Sequence, residues 1–179
     1  SIFMIALITI EWVLIGYTLV FGDDIGGIIG SLNKLGLEHV AGHIMEDTGI
    51  PELLFAAFQC MFAVITPALI AGSFAERIKF KAFVVFALLW SIFIYNPMAH
   101  WVWGGGWLAR LGALDFAGGL VIHILSGVSG LVLCILLGKR HGYGKAPMLP
   151  HHLPMVVLGA SMLWFGWFGF NGGSALGAN

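Results

Sequence analysis

Between Phe116 and Leu137 the chain is an apolar run in which His123 is the only side chain that titrates near neutral pH. A run of this length is close to the ~20 residues a helix needs to cross the hydrocarbon layer of a bilayer. Inside that layer the backbone must satisfy its own hydrogen bonds, which leaves a helix as the fold of a single span. Four more runs of similar character lie at 2–21, 53–74, 82–98 and 153–176. The sequence therefore predicts an all-α polytopic membrane protein, a single transmembrane unit over 1–179 with five spans. Hydrophobic residues at 59%, charged ones at 9% and a mean hydropathy of +0.96 agree, because soluble domains rarely reach such values.

The same composition excludes several classes. A formal net charge of -1 gives no basic surface for nucleic acid. Cys60 and Cys134 both fall in apolar runs, so they read as small packing residues and not as a disulfide framework. The chain opens at Ser1 directly in an apolar run with no basic segment before it, unlike a cleavable signal peptide. The expectation is a segment cut from a longer protein at both ends. Pro67 should kink the second span. Ser126, Gly127 and Gly130 would allow close helix approach in the fourth, and the Gly-rich end of the fifth suggests tight packing there too.

Loop charge sets the orientation. Arg77, Lys79 and Lys81 cluster in one loop, and Lys139, Arg140 and Lys145 in another; Lys34 and Arg110 stand alone elsewhere. The positive-inside rule makes 75–81 and 138–152 cytoplasmic and turns 22–52 and 99–115 outward. The acidic residues of 22–52 read as those of a solvated loop, and Gly26, Gly27 and Gly30 as turn positions.

Depth then groups the side chains. Asp115 and His123 are eight residues apart, ~12 Å along a helix, which puts a carboxylate near one surface and an imidazole partway to the midplane. Intramembrane titratable groups are usually functional or buried in the bundle. Phe58 and Phe62 share a face of the second span, and Phe170 lies at matching depth in the fifth, so two phenyl rings could close a constriction just outside His123. Packing in the core or against lipid is the competing reading for any phenylalanine. Trp101, Trp103 and Trp107 suit the interfacial belt, though a Trp103 facing a vestibule could bind a small cation on its ring. His100 reads as an interfacial histidine with one local hydrogen bond. Asp115 suits a helix N-cap, which is compatible with an electrostatic role at a pore mouth. Glu11, in the middle of the first span, must face protein or water or carry a proton. A haem protein would need two histidines at matching depth, and His123 is the only deep one.

Several stretches carry a family resemblance: 58–62 (FQCMF), 75–80 (AERIKF), 103–106 (WGGG), 112–119 (GALDFAGG) and 166–174 (GWFGFNGGS). Together with the spacing of Trp103, Asp115 and His123, they resemble the ammonium transporter family, which includes Amt, methylammonium permease and Rhesus-type proteins. The resemblance implies a non-enzymatic transporter or channel with eleven spans built on an inverted repeat, of which this chain is similar to the second through sixth. It implies a homotrimer in the plasma membrane with one pore per subunit and no cofactor or metal. Phe58, Trp103 and Ser174 would form an outer ammonium-recruitment site, Phe62 and Phe170 a phenyl gate beneath it, His123 the first pore histidine and Asp115 a buried structural carboxylate. The cation would be deprotonated and conducted as ammonia past the gate. A PII-type signal protein on the cytoplasmic face is the partner the resemblance adds. An ammonium sensor on the same fold and a Rhesus-type neutral gas channel are the alternatives.

Overall fold

The computed structural model describes residues 2–177 and contains five helices long and apolar enough to cross a membrane. Helix α1 is Ile2–Phe21 and α2 is Glu52–Phe74. Helix α3 covers 80–103 and is followed by the short α4, Trp107–Arg110. The last two are α5, Gly119–Leu137, and α6, Leu153–Ser174. Between α1 and α2 the strands β1 (Asp24–Ile25) and β2 (Ile29–Gly30) pair as an antiparallel hairpin. Its turn uses Gly26 and Gly27 at φ of 65° and 79°, a region that favours residues without a Cβ.

Three helices are widened by a π turn, over Trp12–Gly16 in α1, Ser91–Tyr95 in α3 and Gly119–Ile124 in α5. These turns explain where the structure departs from the expected span limits. Helix α3 does not stop at 98, because Pro97 follows its π turn at the start of a fresh α segment, where a missing N–H is tolerated. Helix α5 starts at Gly119 and not at 116. Gly118 sits at φ 93°, outside helical space, and the Asp115 carboxylate accepts the first N–H groups. Helix α2 continues as an α-helix through Pro67.

The core lies among α1, α2 and α3, with α5 packed along α2. Met4, Ile8, Trp12 and Tyr17 of α1 are buried, and Trp12 Nε1 donates to the Ala56 carbonyl of α2 at 3.0 Å. Trp90 of α3 donates to Ser129 of α5 at 3.0 Å. Small residues act unevenly. A Cβ on Gly130 would meet Ser73 of α2 at 3.7 Å, whereas one on Gly127 would meet nothing within 4 Å. Of the glycines of α6, Gly173 lies against a neighbour among the described residues, the Phe58 ring of α2. Cys60 is buried and donates to Thr9 at 3.7 Å, while Cys134 of α5 lies beside Arg77.

Glu11 finds partners that sequence reasoning could not name. It is 5% exposed, accepts from Asn96 Nδ2 at 2.8 Å and from Ser91 Oγ at 3.1 Å, and thereby joins the π turns of α1 and α3. The 22–52 loop is also tied down and not merely solvated. Glu52, 3% exposed, meets Tyr17 Oη at 2.6 Å, Lys34 Nζ at 2.5 Å and His43 Nδ1 at 2.6 Å.

Candidate functional site

The GALDFAGG stretch builds one wall of the site. Asp115 Oδ1 accepts from the backbone of Gly118 (2.6 Å) and Gly119 (2.8 Å), and Oδ2 from Leu120 (2.8 Å) and Val121 (2.9 Å). One carboxylate thus meets four N–H groups that the helix start leaves without partners, and its charge complements the positive end of the dipole. Both carboxylate oxygens are occupied by this capping. The backbone carbonyl of Asp115 accepts from Trp103 Nε1 at 2.8 Å, so the same residue fixes the indole at the end of α3.

Around that indole lies a cavity of about 330 Å³, whose lining includes Phe58, Phe62, Trp103, Asp115, Ser174 and Gln59. Gln59 is a lining residue that sequence reasoning missed. It is 8% exposed, and its Oε1 has no hydrogen-bond partner among the described residues. A signal was present in its sequence position, a lone amide between Phe58 and Cys60 in an apolar span. Ser174 Oγ donates to the Phe170 carbonyl at 2.8 Å and keeps lone pairs free to accept.

Phe62 stacks at 4.5 Å on Phe170, with 34° between the rings. Phe62 lines the first cavity, while Phe170 lines a second, of about 620 Å³, together with His123, Trp167, Asn171 and Asp115. The phenyl pair therefore stands between two spaces. Aromatic contacts run on without a break. Trp103 meets Phe62 edge-on at 5.7 Å, Phe170 stacks on Trp167 at 4.4 Å, and Trp167 stacks on His123 at 5.9 Å. Trp167 is the second residue missed from sequence. It is three residues before Phe170 on the same helical face, a spacing that could have pointed to it.

All seven residues singled out from the sequence fall along this line: Phe58, Trp103, Ser174, Phe62, Phe170, His123 and Asp115. His123 lies on α5 within the π turn, with Trp167 of α6 opposite it. Trp101 and Trp107 form a separate pair at 5.6 Å and do not line the cavity.

A cation offered to this pocket would meet aromatic rings and the Ser174 side chain, with no fixed positive side chain in the lining. Ring faces attract a small cation by about 0.5–2 kcal/mol. The Ammonium Transporter Family model matches residues 1–179, the whole chain. The chain belongs to the ammonium transporter family. An ammonium transporter from Aquifex aeolicus is 54% identical over 174 residues, covering 97% of this chain and 40% of that protein. The crystal structure of Candida albicans Mep2 superposes with a TM-score of 0.89 at 38% identity, over 99% of this chain and 40% of that one. A structure described as a sensor Amt protein gives the same TM-score at 30% identity and covers 99% of this chain and 46% of its own. This member of the family thus spans about two-fifths of the length of the curated relatives it matches.

Proposed function

We propose that the full-length protein moves ammonium across a cell membrane by recruiting the cation in the Trp103 cavity and passing ammonia between Phe62 and Phe170. The observation that carries this reading is the unbroken aromatic line from Trp103 through the phenyl pair to His123. Phe58 and Trp103 offer ring faces, and Ser174 offers a hydroxyl acceptor. An intact ammonium ion loses its hydration at an apolar constriction, at a cost far above what ring contacts return. Transfer of the ammonium proton to water in the outer cavity leaves neutral ammonia and removes that cost before the phenyl pair. His123, which can donate from one ring nitrogen and accept at the other, then hydrogen-bonds the ammonia. Asp115 shapes the cavity by holding α5 and Trp103 in place.

In this reading the chain is a multi-pass segment resembling spans two to six, a trimer is the assembly the resemblance implies, and a PII-type protein docks on the cytoplasmic loops. A plasma-membrane location follows from the same resemblance. A second reading, an ammonium sensor built on this fold, draws on the likeness to the sensor Amt protein. Uptake separates the two, since a sensor without transport would give none.

Uptake of labelled methylammonium by the full-length protein and by Trp103→Leu tests the proposal. Loss of the ring face should raise the half-saturating concentration about tenfold, equivalent to roughly 1.4 kcal/mol of binding. Unchanged half-saturation with unchanged competition by ammonium would make Trp103 an interfacial anchor only.

A further inference from the structure

His100 is fully buried, and both of its ring nitrogens face acceptors. Nδ1 lies 2.7 Å from the carbonyl oxygen of Val20, which can only accept. Nε2 lies 2.8 Å from Asp24 Oδ1. Every other partner of the Asp24 carboxylate is a donor: the Gly27 N–H reaches Oδ1 at 2.9 Å and Oδ2 at 3.0 Å, and Arg110 Nη2 donates to Oδ2. Asp24 is therefore ionised and acceptor-only, and its carboxyl is held below the usual carboxylate range, foremost by the hydrogen bond from His100. A neutral imidazole has one donor and one acceptor nitrogen. Either neutral tautomer would point a lone pair at an oxygen lone pair in a buried site, which leaves the doubly protonated ring as the state that satisfies both contacts. Asp24 and Arg110 are the charged side chains that meet the ring or its partner, and α1 contributes only the Val20 carbonyl.

These contacts join the parts that carry the outer cavity. Val20 precedes Phe21, a lining residue on α1, and His100 lies one turn before Trp103 on α3. The His100 carbonyl accepts the backbone N–H groups of Gly104 (2.9 Å) and Gly106 (3.0 Å), closing the turn directly after Trp103. The hairpin is fastened to the same turn, as Trp107 N donates to Gly27 O at 3.0 Å.

We propose that His100 is a buried imidazolium that, through Val20 and Asp24, positions Trp103 and Phe21 at the ammonium cavity, with Asp24 as its fixed counter-ion. His100 acts through these groups and is a positioning residue, not a ligand. The functional half of this inference rests on the recruitment reading; the charge state does not.

Two measurements on the full-length protein test it. Nitrogen-15 NMR of histidine-labelled protein at neutral pH should give two protonated ring nitrogens for His100, assigned by loss of the signals in His100→Gln. A single unprotonated nitrogen overturns the imidazolium. In methylammonium uptake, His100→Gln and Asp24→Asn should each raise the half-saturating concentration about tenfold while the maximal rate changes less than about twofold. Should His100→Gln fail to fold, Asp24→Asn decides the positioning role by uptake, and it assigns the His100 signals by their shift, because its new amide faces Nε2. If Trp103→Leu shifts half-saturation but Asp24→Asn does not, the positioning role is wrong and the recruitment reading stands. If Trp103→Leu is also silent, the recruitment reading and the positioning role both fall, and NMR decides the charge state.

Discussion

A Cβ on Gly173 would sit 2.6 Å from Phe58 Cε2 and 2.8 Å from Cζ, so α6 and the Phe58 ring touch at a position where α6 has no side chain. Phe58 in turn meets Phe62 edge-on at 4.9 Å. A methyl group at 173 should therefore turn the Phe58 ring into the cavity. Gly173→Ala is expected to raise half-saturation for methylammonium several-fold while thermal stability falls by less than about 1 kcal/mol, since a terminal ring can rotate away from the added atom. Uptake kinetics with a melting curve of the purified variant check this, and unchanged kinetics would mean that the ring moves outward instead. Glu11 illustrates the opposite case. Its carboxylate is 5% exposed and bonded only through Asn96 and Ser91, far along the chain, so neither partner could be named from local spacing.

At the scale of the element, the start of α5 depends on two neighbouring devices. Asp115 accepts four backbone N–H groups, and Gly118 takes a left-handed φ of 93° that lets the chain turn into the helix. Removing the cap in Asp115→Ala should destabilise the folded protein by about 0.5–2 kcal/mol. Asp115→Asn, which keeps one acceptor oxygen, should lose less. Gly118→Ala forces a side chain into left-handed space at roughly 1–2 kcal/mol, and its Cβ would also press on the Ile122 side chain. Denaturation midpoints of the three variants in one detergent give the ranking, and Asp115→Asn as the most damaged would contradict it. Both devices sit upstream of His123, which lies in the π turn and stacks on Trp167 at 5.9 Å.

Over the whole molecule, the two basic loops meet at one end. Arg77 donates to the Gly138 carbonyl at 2.5 Å, and Arg140 reaches Glu76 at 2.6 Å, which holds the Glu76 carboxyl below its usual range. The positive-inside rule assigns that end to the cytoplasm and Lys34 to the exterior. Single cysteines at 34 and 145 in intact cells should differ, with an impermeant reagent labelling only position 34; equal labelling would reject the orientation. The hairpin between α1 and α2 hangs on ionised Asp24. Its folded carboxyl is depressed, so this contribution is complete above the ordinary carboxylate value of about 4 and is lost as pH falls through the lower folded value. Hydrogen exchange of residues 24–30 should stay slow from pH 7 to about 5, after correction for intrinsic rates, and speed up below about 4. Loosening of α2 before the hairpin would contradict this.

The sequence by itself determined the helices, the fold class and the family. Apolar length is a local property, and a bilayer leaves the backbone a single economical conformation. It also marked Phe58, Phe62, Trp103, Asp115, His123, Phe170 and Ser174, through spacing along single helices and through motif resemblance. Tertiary structure alone decided who meets whom across helices. Trp167 between Phe170 and His123, the partners of Glu11, and the burial of His100 between Val20 and Asp24 all join residues distant in the chain. Spacing encodes the face of a helix, but a π turn shifts that face by an extra residue, and only packing reveals where such a turn falls.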